Sequence, residues 1–501
     1  MLRKVFLLFL PGLLFALSPL PAFADSCSDL SSVQIQGATV TGAISVPAGQ
    51  FTTPDQIGYG SQTYTVPAFC RVQLTIGTAT SEVWLPAAWN GKLAGMGNGG
   101  ELGAIIYGEL YYTVATGYAG VSSDLGHQSY GGDASWALNR PDLITEFGYT
   151  ATHDMTTAAK ALIQAFYGTA PTYSYFFGSS AGGRQALMEA QRYPTDYDGI
   201  ASLSPGLGWT HLMSGMIAEE LKLGGSGSSA LQLTDQQAMR LNRAVVAACD
   251  GLDGLKDGII TDPTKCHFDP GQLQCASHFL ANCLDPDQVA AVRALYEPLR
   301  FSSGKLIYAG LPYGSEYEWY CSVLHDAFNA PVSISWYQNE VYSNPNWDFH
   351  TFNPDVDVPY ADSLWASTLN ASSPNLDAFK AAGGKLLMAQ GQSDAIVVPQ
   401  NTIDYYRNVK RRYSADTEAF ARLFMEPGYG HCGPPPGPSA WDPIVAIAGW
   451  VETGVAPDSI IASKTNGDGS VTSRPLCPLS AAGALQGAWR CERRRNFRCK
   501  K

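Results

Sequence analysis

Past residue 24 the sequence has no apolar run long enough to cross a bilayer, and it is short of charge. Asp, Glu, Lys and Arg make up only 15% of its 501 residues. The first shortage argues against a membrane-spanning body. The charge that is present leans acidic, to a net of −12, which argues against nucleic acid or an anionic membrane surface as partner. The basic end "RCERRRNFRCK" is the local exception and reads as a solvated tail, residues 481–501. An internal repeat is also missing, so a repeat architecture is excluded.

What is present is ordinary globular composition, 45% hydrophobic with 51 Gly and 31 Pro. The length allows one large core plus a substantial insertion. Residues 1–24, "MLRKVFLLFLPGLLFALSPLPAFA", combine a basic start, an apolar stretch broken by Pro11 and an Ala-Phe-Ala ending. That pattern predicts a secretory signal peptide cleaved after Ala24, and hence a soluble secreted or periplasmic protein. Eleven cysteines in an exported chain should mostly form disulfides. Because the count is odd, at least one sulfur is free or pairs with another molecule. The close spacings Cys249/Cys266 and Cys275/Cys283 suggest local staples.

Short β-rich stretches start at Arg71, Ser81, Lys92 and Tyr118, each bounded by Gly, Pro or Asn. A helical pattern from Ile144 to Gly168 follows, then the apolar strand "YSYFF" from Tyr173, the helix "AGGRQALMEAQRYP" and the strand "GIASLSPG". Such alternation means a mainly parallel sheet covered by helices. It breaks after about Pro205 and returns at "LDAFKAAGGKLLMAQGQSD". One α/β core with an insertion between two of its strands accounts for both observations. The Gly/Ser run "GGSGSSA" from Gly224 reads as a flexible loop within the insertion. Its aromatics, among them Trp319, Tyr320, Trp336, Tyr337, Trp347 and Phe349, read first as the insertion's own core.

Residues 178–182, Gly-Ser-Ser-Ala-Gly, fit G-x-S-x-G with the required strand before and helix after. The nucleophile of such a motif sits on a sharp turn, and the glycines two residues either side let strand and helix approach. Those glycines select Ser180, not Ser179. The amide of Ala181 opens the helix and is placed to stabilise an oxyanion. A serine needs a base and the base an orienting acid, in the chain order Ser, acid, His. Asp394 stands just beyond the apolar strand in "LLMAQGQSDAIVVPQ", and His431 lies in the glycine-rich loop of "FMEPGYGHCG". The three form a predicted serine-hydrolase triad. The cluster "GMGNGGELG", residues 95–103, follows an early strand where the second oxyanion donor belongs, with Gly100 the choice and Gly99 the reserve. No Lys-Ser/Thr ending follows it, so it is not a phosphate loop.

"CDGLDGLKDGIITDPTKC" gathers Asp250, Asp253 and Asp257 with three glycines between Cys249 and Cys266. Clustered carboxylates with turn glycines suit Ca²⁺, although the spacing is not that of an EF-hand, and plain Asp-Gly turns would read the same way.

The stretches "GNGGELG", "YFFGSSAGGRQALMEAQRYPTDYDGI", "GQSDAIVVP", "GYGHCG" and "RPLCP" resemble the tannase/feruloyl esterase family. That family includes fungal tannases, type-B feruloyl esterases and mono(2-hydroxyethyl) terephthalate hydrolase. The resemblance runs over about residues 27–478. It implies an α/β-hydrolase core (25–205 and 375–480), a lid (206–374), and hydrolysis of small aromatic carboxylic esters of the feruloyl or hydroxycinnamoyl type without an organic cofactor. Galloyl esters and terephthalate monoesters are the alternative substrates, and an inactive, secreted phenolic-ligand-binding module is the non-enzyme alternative. It carries the same triad roles onto Ser180, Asp394 and His431, and implies a structural Ca²⁺ held by Asp250, Asp253, Asp257 and the carbonyls of Leu255 and Ile259. The implied disulfides are Cys27–Cys70, Cys249–Cys266, Cys275–Cys283 and Cys477–Cys499. The family's usual bond between a Cys before the serine and a Cys after the histidine cannot form, because Ser179 stands opposite Cys432. Cys432 is then free, or paired with Cys321 or Cys491, and the catalytic loops are expected to be less constrained.

Overall fold

The computed structural model describes residues 26–57, 60–225, 233–276 and 282–479. The expected signal peptide, most of the Gly/Ser run, Cys491, Cys499 and the tail 481–501 lie outside the described residues.

The first strands in chain order are β1 (Ala38–Val46), β2 (Gly49–Thr52), β3 (Thr63–Val66), β4 (Phe69–Ile76), β5 (Ala79–Pro86), β6 (Lys92–Met96), β7 (Ala119–Ser123), β8 (Tyr173–Ser179) and β9 (Gly199–Leu203). They continue with β10 (Leu299–Arg300), β11 (Leu306–Tyr308), β12 (Lys385–Gly391), β13 (Ala421–Glu426), β14 (Ile460–Thr465) and β15 (Val471–Leu476). Nine of them form one sheet in the order β1-β4-β5-β7-β6-β8-β9-β12-β13. The six from β7 to β13 run parallel, and β5, β4 and β1 continue the sheet antiparallel.

A parallel strand covered on both faces has no polar side to present, so it reads as a continuous apolar run. The aromatic β8 is buried at residues 174–178 accordingly. One face packs Leu93, Phe176, Ile200 and Met388 against helices Ala151–Tyr167, Ala181–Arg192 and Pro399–Tyr413. The other packs Trp84, Tyr175 and Leu387 against helices Tyr107–Ala115 and Pro443–Thr453. This is the expected mostly parallel sheet with helices on both faces, the α/β-hydrolase arrangement. The helix expected from Ile144 is longer and less regular: an α-turn at Pro141–Thr145, a π-turn at Glu146–Thr150, then Ala151–Tyr167, ended by Gly168 at φ 76°.

Between β9 and β12 the chain is largely helical, with helices Trp209–Lys222, Asp235–Cys249, Pro286–Tyr296, Asn329–Trp336 and Pro354–Leu369 and the short β10–β11 pair. Composition alone did not foresee them. Their local signals are caps: Thr234 with Gln237 and Asp285 with Gln288 each form a reciprocal capping box. Trp319, Trp336, Tyr337 and Phe349 are buried, as expected of a core, while Tyr320 is exposed. No helix among the described residues is long and apolar enough to cross a membrane.

The disulfides Cys27–Cys70, Cys249–Cys266 and Cys275–Cys283 form as expected. Cys477 is disulfide-bonded as well. Such bonds persist in oxidising compartments.

Candidate active site

The carboxyl ends of parallel strands share one edge of the sheet, where ligands gather in open α/β folds. Ser180 follows β8, Asp394 lies beyond β12 and His431 beyond β13, so all three predicted residues stand on that edge.

Ser180 adopts φ 62°, ψ −121°, a conformation that costs a non-glycine residue about 1–3 kcal/mol and persists only when its surroundings impose it. Three backbone bonds do so: the Ser180 amide donates to Leu203 O at 2.9 Å, and Ser180 O accepts from Arg184 and Gly206 at 3.1 Å each. The flanking glycines are required by contact. A Cβ on Gly178 would lie 2.5 Å from the Gly182 carbonyl carbon, and one on Gly182 would lie 2.9 Å from Asn98 O. Ala181, fully buried, is the first residue of the helix, with its amide at the positive end of the helix dipole.

The loop after β6 packs against that elbow. The Asn98 side-chain amide donates to Leu102, Ala104 and Ser123 carbonyls at 3.0–3.1 Å, and the Glu101 amide donates to Gly131 O at 2.8 Å. Gly100 has φ 53°, and a Cβ there would meet Gly131 O at 2.3 Å, so only glycine fits. Among the described residues neither the Gly99 nor the Gly100 amide has a protein acceptor.

Asp394 is fully buried. Its Oδ1 accepts from the Ile396 and Val397 amides at 2.9 and 2.7 Å, and its Oδ2 accepts from Gln390 Nε2 at 3.2 Å and faces His431 Nδ1 at 2.8 Å. With Nδ1 thus engaged as a donor, His431 Nε2 is left as the free basic nitrogen. Burial lowers the imidazole pKa, but the charge and hydrogen bond of Asp394 and the charge of Glu318 outweigh it, and the net shift is upward.

Two clusters of buried titratable groups support these loops, and none of their members was singled out in the sequence. Glu318, from the turn Glu316–Cys321, receives the amides of Ala395, His431 and Cys432. Arg184, two residues past Gly182, is fully buried. Its guanidinium donates to Gly148 O at 3.0 Å, Phe147 O at 3.2 Å and Leu369 O at 3.4 Å. It also faces the carboxyls of Glu101 and Glu340. Burial pushes Glu101 up to about 8 against the pull of Arg184, and burial with the neighbouring Glu101 holds Glu340 well above its usual range. Arg184 and Glu101 sit inside the quoted glycine motifs; the available signal was a charged residue next to glycines at a buried junction.

Ser179 is exposed at the end of β8. Cys432 is bonded to Cys321, 111 residues away in the insertion. The expected loosening therefore does not extend to the histidine loop, which is tied to the insertion instead of to the Ser180 turn.

In the loop 249–266, burial and the charges of Asp253 and Asp250 raise Asp257, against the pull of Arg474. Crowded hard oxygens of this kind have the donor chemistry of a Ca²⁺ loop. As placed, however, they serve the loop itself. Asp250 Oδ1 accepts the amides of Asp257, Gly258 and Ile259, Asp253 accepts from Leu255 N and Thr261 Oγ1, and Asp257 faces Arg474 at 3.8 Å. Among the described residues no three His, Cys, Asp or Glu side chains converge as metal ligands.

A family model described as tannase and feruloyl esterase matches residues 75–500. An uncharacterized esterase of Xanthomonas campestris pv. campestris is 34% identical over 95% of this chain and 91% of its own length. A probable feruloyl esterase B-2 of Aspergillus flavus is 33% identical over 79% of this chain and 80% of its own. The crystal structure of feruloyl esterase B from Aspergillus oryzae superposes with a TM-score of 0.83 at 28% identity, covering 91% of this chain and 96% of that one. With the strained serine turn and the paired acid and histidine on one sheet edge, these matches place the chain in the tannase and feruloyl esterase family of carboxylic ester hydrolases.

Proposed function

We propose that this protein is an exported serine esterase of small aromatic carboxylic esters, feruloyl or hydroxycinnamoyl in type. The observation that carries the reading is the pairing of buried Asp394 with half-buried His431 at 2.8 Å, on the edge where the Ser180 turn also stands. In this reading His431 Nε2 takes the Ser180 Oγ proton as Oγ bonds to the ester carbonyl carbon. The Gly100 and Ala181 amides receive the oxyanion. The tetrahedral intermediate collapses, the C–O bond to the alcohol breaks, and the His431 proton goes to the departing alcohol. Water, deprotonated by the same imidazole, then releases the acid and regenerates Ser180. Asp394 keeps Nδ1–H oriented and stabilises the imidazolium.

The insertion, residues 206–374, acts as a lid over this edge, between core segments 25–205 and 375–480. The disulfides among the described residues and the basic-then-apolar pattern of residues 1–24 support export, and the net charge of −12 speaks against nucleic-acid or membrane partners. Hydrolysis of methyl ferulate, methyl gallate and mono(2-hydroxyethyl) terephthalate, compared by kcat/KM, tests the substrate class. Methyl ferulate is expected to be the best of the three. A higher value for gallate or for the terephthalate monoester would move the assignment to that branch, and no turnover of any by folded protein would refute an esterase of this class.

The charge crowding of Asp250, Asp253 and Asp257 supports a structural Ca²⁺, for which these carboxylates would have to turn from their bonds within the loop, with the Leu255 and Ile259 carbonyls completing its ligands. Bound calcium would neutralise the loop and hold the lid, without taking part in the reaction. Millimolar CaCl₂ added to EDTA-stripped protein is expected to raise Tm, since a ligand at 100 times its Kd adds about 2.7 kcal/mol. Asp253→Asn should abolish the rise. Identical melts with and without calcium would remove the metal from the account.

A further inference from the structure

Glu318 is fully buried in the turn Glu316–Cys321, which belongs to the insertion. Its Oε2 accepts the amides of His431 at 2.6 Å and Cys432 at 3.2 Å, and its Oε1 accepts the amide of Ala395. Those donors are the histidine itself, the residue after it and the residue after Asp394. One carboxylate thus spans the two loops that carry the acid and the base, and three N–H donors on two oxygens call for its ionised form. Space is made for it at Gly430, where a Cβ would lie 2.0 Å from Oε2. The turn is itself fixed: Trp319 Nε1 donates to Ser315 Oγ at 3.0 Å, Ser322 Oγ donates to Glu318 O at 3.0 Å, and Cys321 is bonded to Cys432.

We propose that Glu318 is a positioning residue of the hydrolytic site. Its carboxylate sets the spacing of the Asp394 and His431 loops from the lid side, and the Cys321–Cys432 bond holds it there, in place of a link to Ser179. The proposal rests on the assignment of Asp394 and His431 as orienting acid and base. It explains why a buried anion with no cationic side chain is kept beside a carboxylate: its counter-charges are amide dipoles and the imidazolium that forms during turnover. Other titratable groups around the pair are Asp394 and Tyr308 at the acid loop, Tyr317 on the same turn, and Glu426 and Tyr429 at the histidine loop. The tyrosines are all pushed upward by burial and stay neutral. Burial and the charge of Asp394 raise Glu318 to about 7, and burial chiefly, with a contribution from Asp394, brings Glu426 to the same value.

The sign of the test follows. A neutral imidazole is the working base, and Glu318 is one of the charges that raise its pKa above the ordinary 6.5. In wild type, kcat/KM on methyl ferulate should rise with pH through a value above 6.5. Glu318→Gln keeps the shape but removes the charge and turns an N–H₂ toward the amides. It should lower kcat by about 10²-fold through misplacement of the base, leave KM within about twofold, and move the acidic limb to lower pH. The His431 imidazole, titrated by NMR in the inactive Ser180→Ala background, should move with that limb, and this readout needs no turnover. If Glu318→Gln folds and keeps wild-type kcat, or loses kcat with no movement of the imidazole titration, the proposal is overturned. Should Glu318→Gln not fold, Glu318→Asp retains the charge one methylene short of the amides; it should keep the raised titration and lose kcat, and a normal kcat would sink the idea. Activity surviving His431→Ala would instead break the triad assignment, whatever Glu318 does to the ring.

Discussion

Ser180→Ala is expected to reduce kcat by about 10⁴–10⁶-fold while leaving the fold intact. The size follows from what the proposed mechanism loses: without Oγ its acyl-enzyme cannot form, and its oxyanion donors and binding alone would account for the residue of rate. The unchanged fold follows from the turn. Its strain, φ 62° and ψ −121°, is imposed on the backbone and on Cβ, which alanine shares with serine, so the melting temperature should stay level or rise slightly. His431→Ala should fall to a similar rate. Asp394→Asn should lose about 10⁴-fold, because an amide in place of Oδ2 at 2.8 Å from Nδ1 favours the wrong tautomer. Residual activity within tenfold of wild type in any of the three, measured with methyl ferulate, would place the chemistry elsewhere.

Arg184→Met is expected to be the most destabilising single substitution near the site, by about 3–5 kcal/mol. Methionine fills much of the volume, but three carbonyls, of Phe147, Gly148 and Leu369, lose their donors in a place water does not reach. The guanidinium also lies 4.7 Å from the Phe147 ring centroid and 5.1 Å from that of Trp209, which adds attraction that a thioether does not replace. Arg184→Lys should recover little, since one ammonium cannot fork to three acceptors. Glu340→Gln, in contrast, exchanges groups of the same shape where burial and the neighbouring Glu101 already disfavour the charged carboxylate. It should cost no more than about 1 kcal/mol. Urea unfolding of the three variants measures all of this, and an Arg184→Met loss below that of Glu340→Gln would contradict it.

The parts of the site that were legible in the sequence are those whose signal is local. The serine turn announces itself because steric contact between strand and helix forces glycine at 178 and 182, a constraint carried within five residues. Asp394 and His431 could be placed because each follows a parallel strand whose apolar run is unmistakable. Glu318 could not, because its partners lie 77 and 113 positions away and nothing in "EYEWYC" says which amides it will meet. The same holds for Cys432, whose spacing left three fates open and whose partner is 111 residues distant. The helices of the insertion were hidden by a composition of Gly, Asp and aromatics, and the π-turn at Glu146–Thr150 by an otherwise regular helical pattern.

The insertion leaves and rejoins the core at neighbouring strands: β9 pairs with β12 in register, Gly199 opposite Lys385 and Leu203 opposite Ala389. Because that pairing is parallel, the end of β9 and the start of β12 lie at opposite ends of the strands. The Ala371 amide, however, donates to Leu207 O at 2.7 Å, which holds the two ends of the insertion about 5 Å apart, so the core sees it as a long loop on a short base. Lengthening such a loop adds little entropy cost to closing it. Evolution, or an engineer, can therefore exchange the whole segment as a cassette without redrawing the core sheet. The Glu318–Cys321 turn sets the limit on that freedom, because a replacement cassette must bring its own carboxylate and thiol to the histidine loop or be inherited together with a new one.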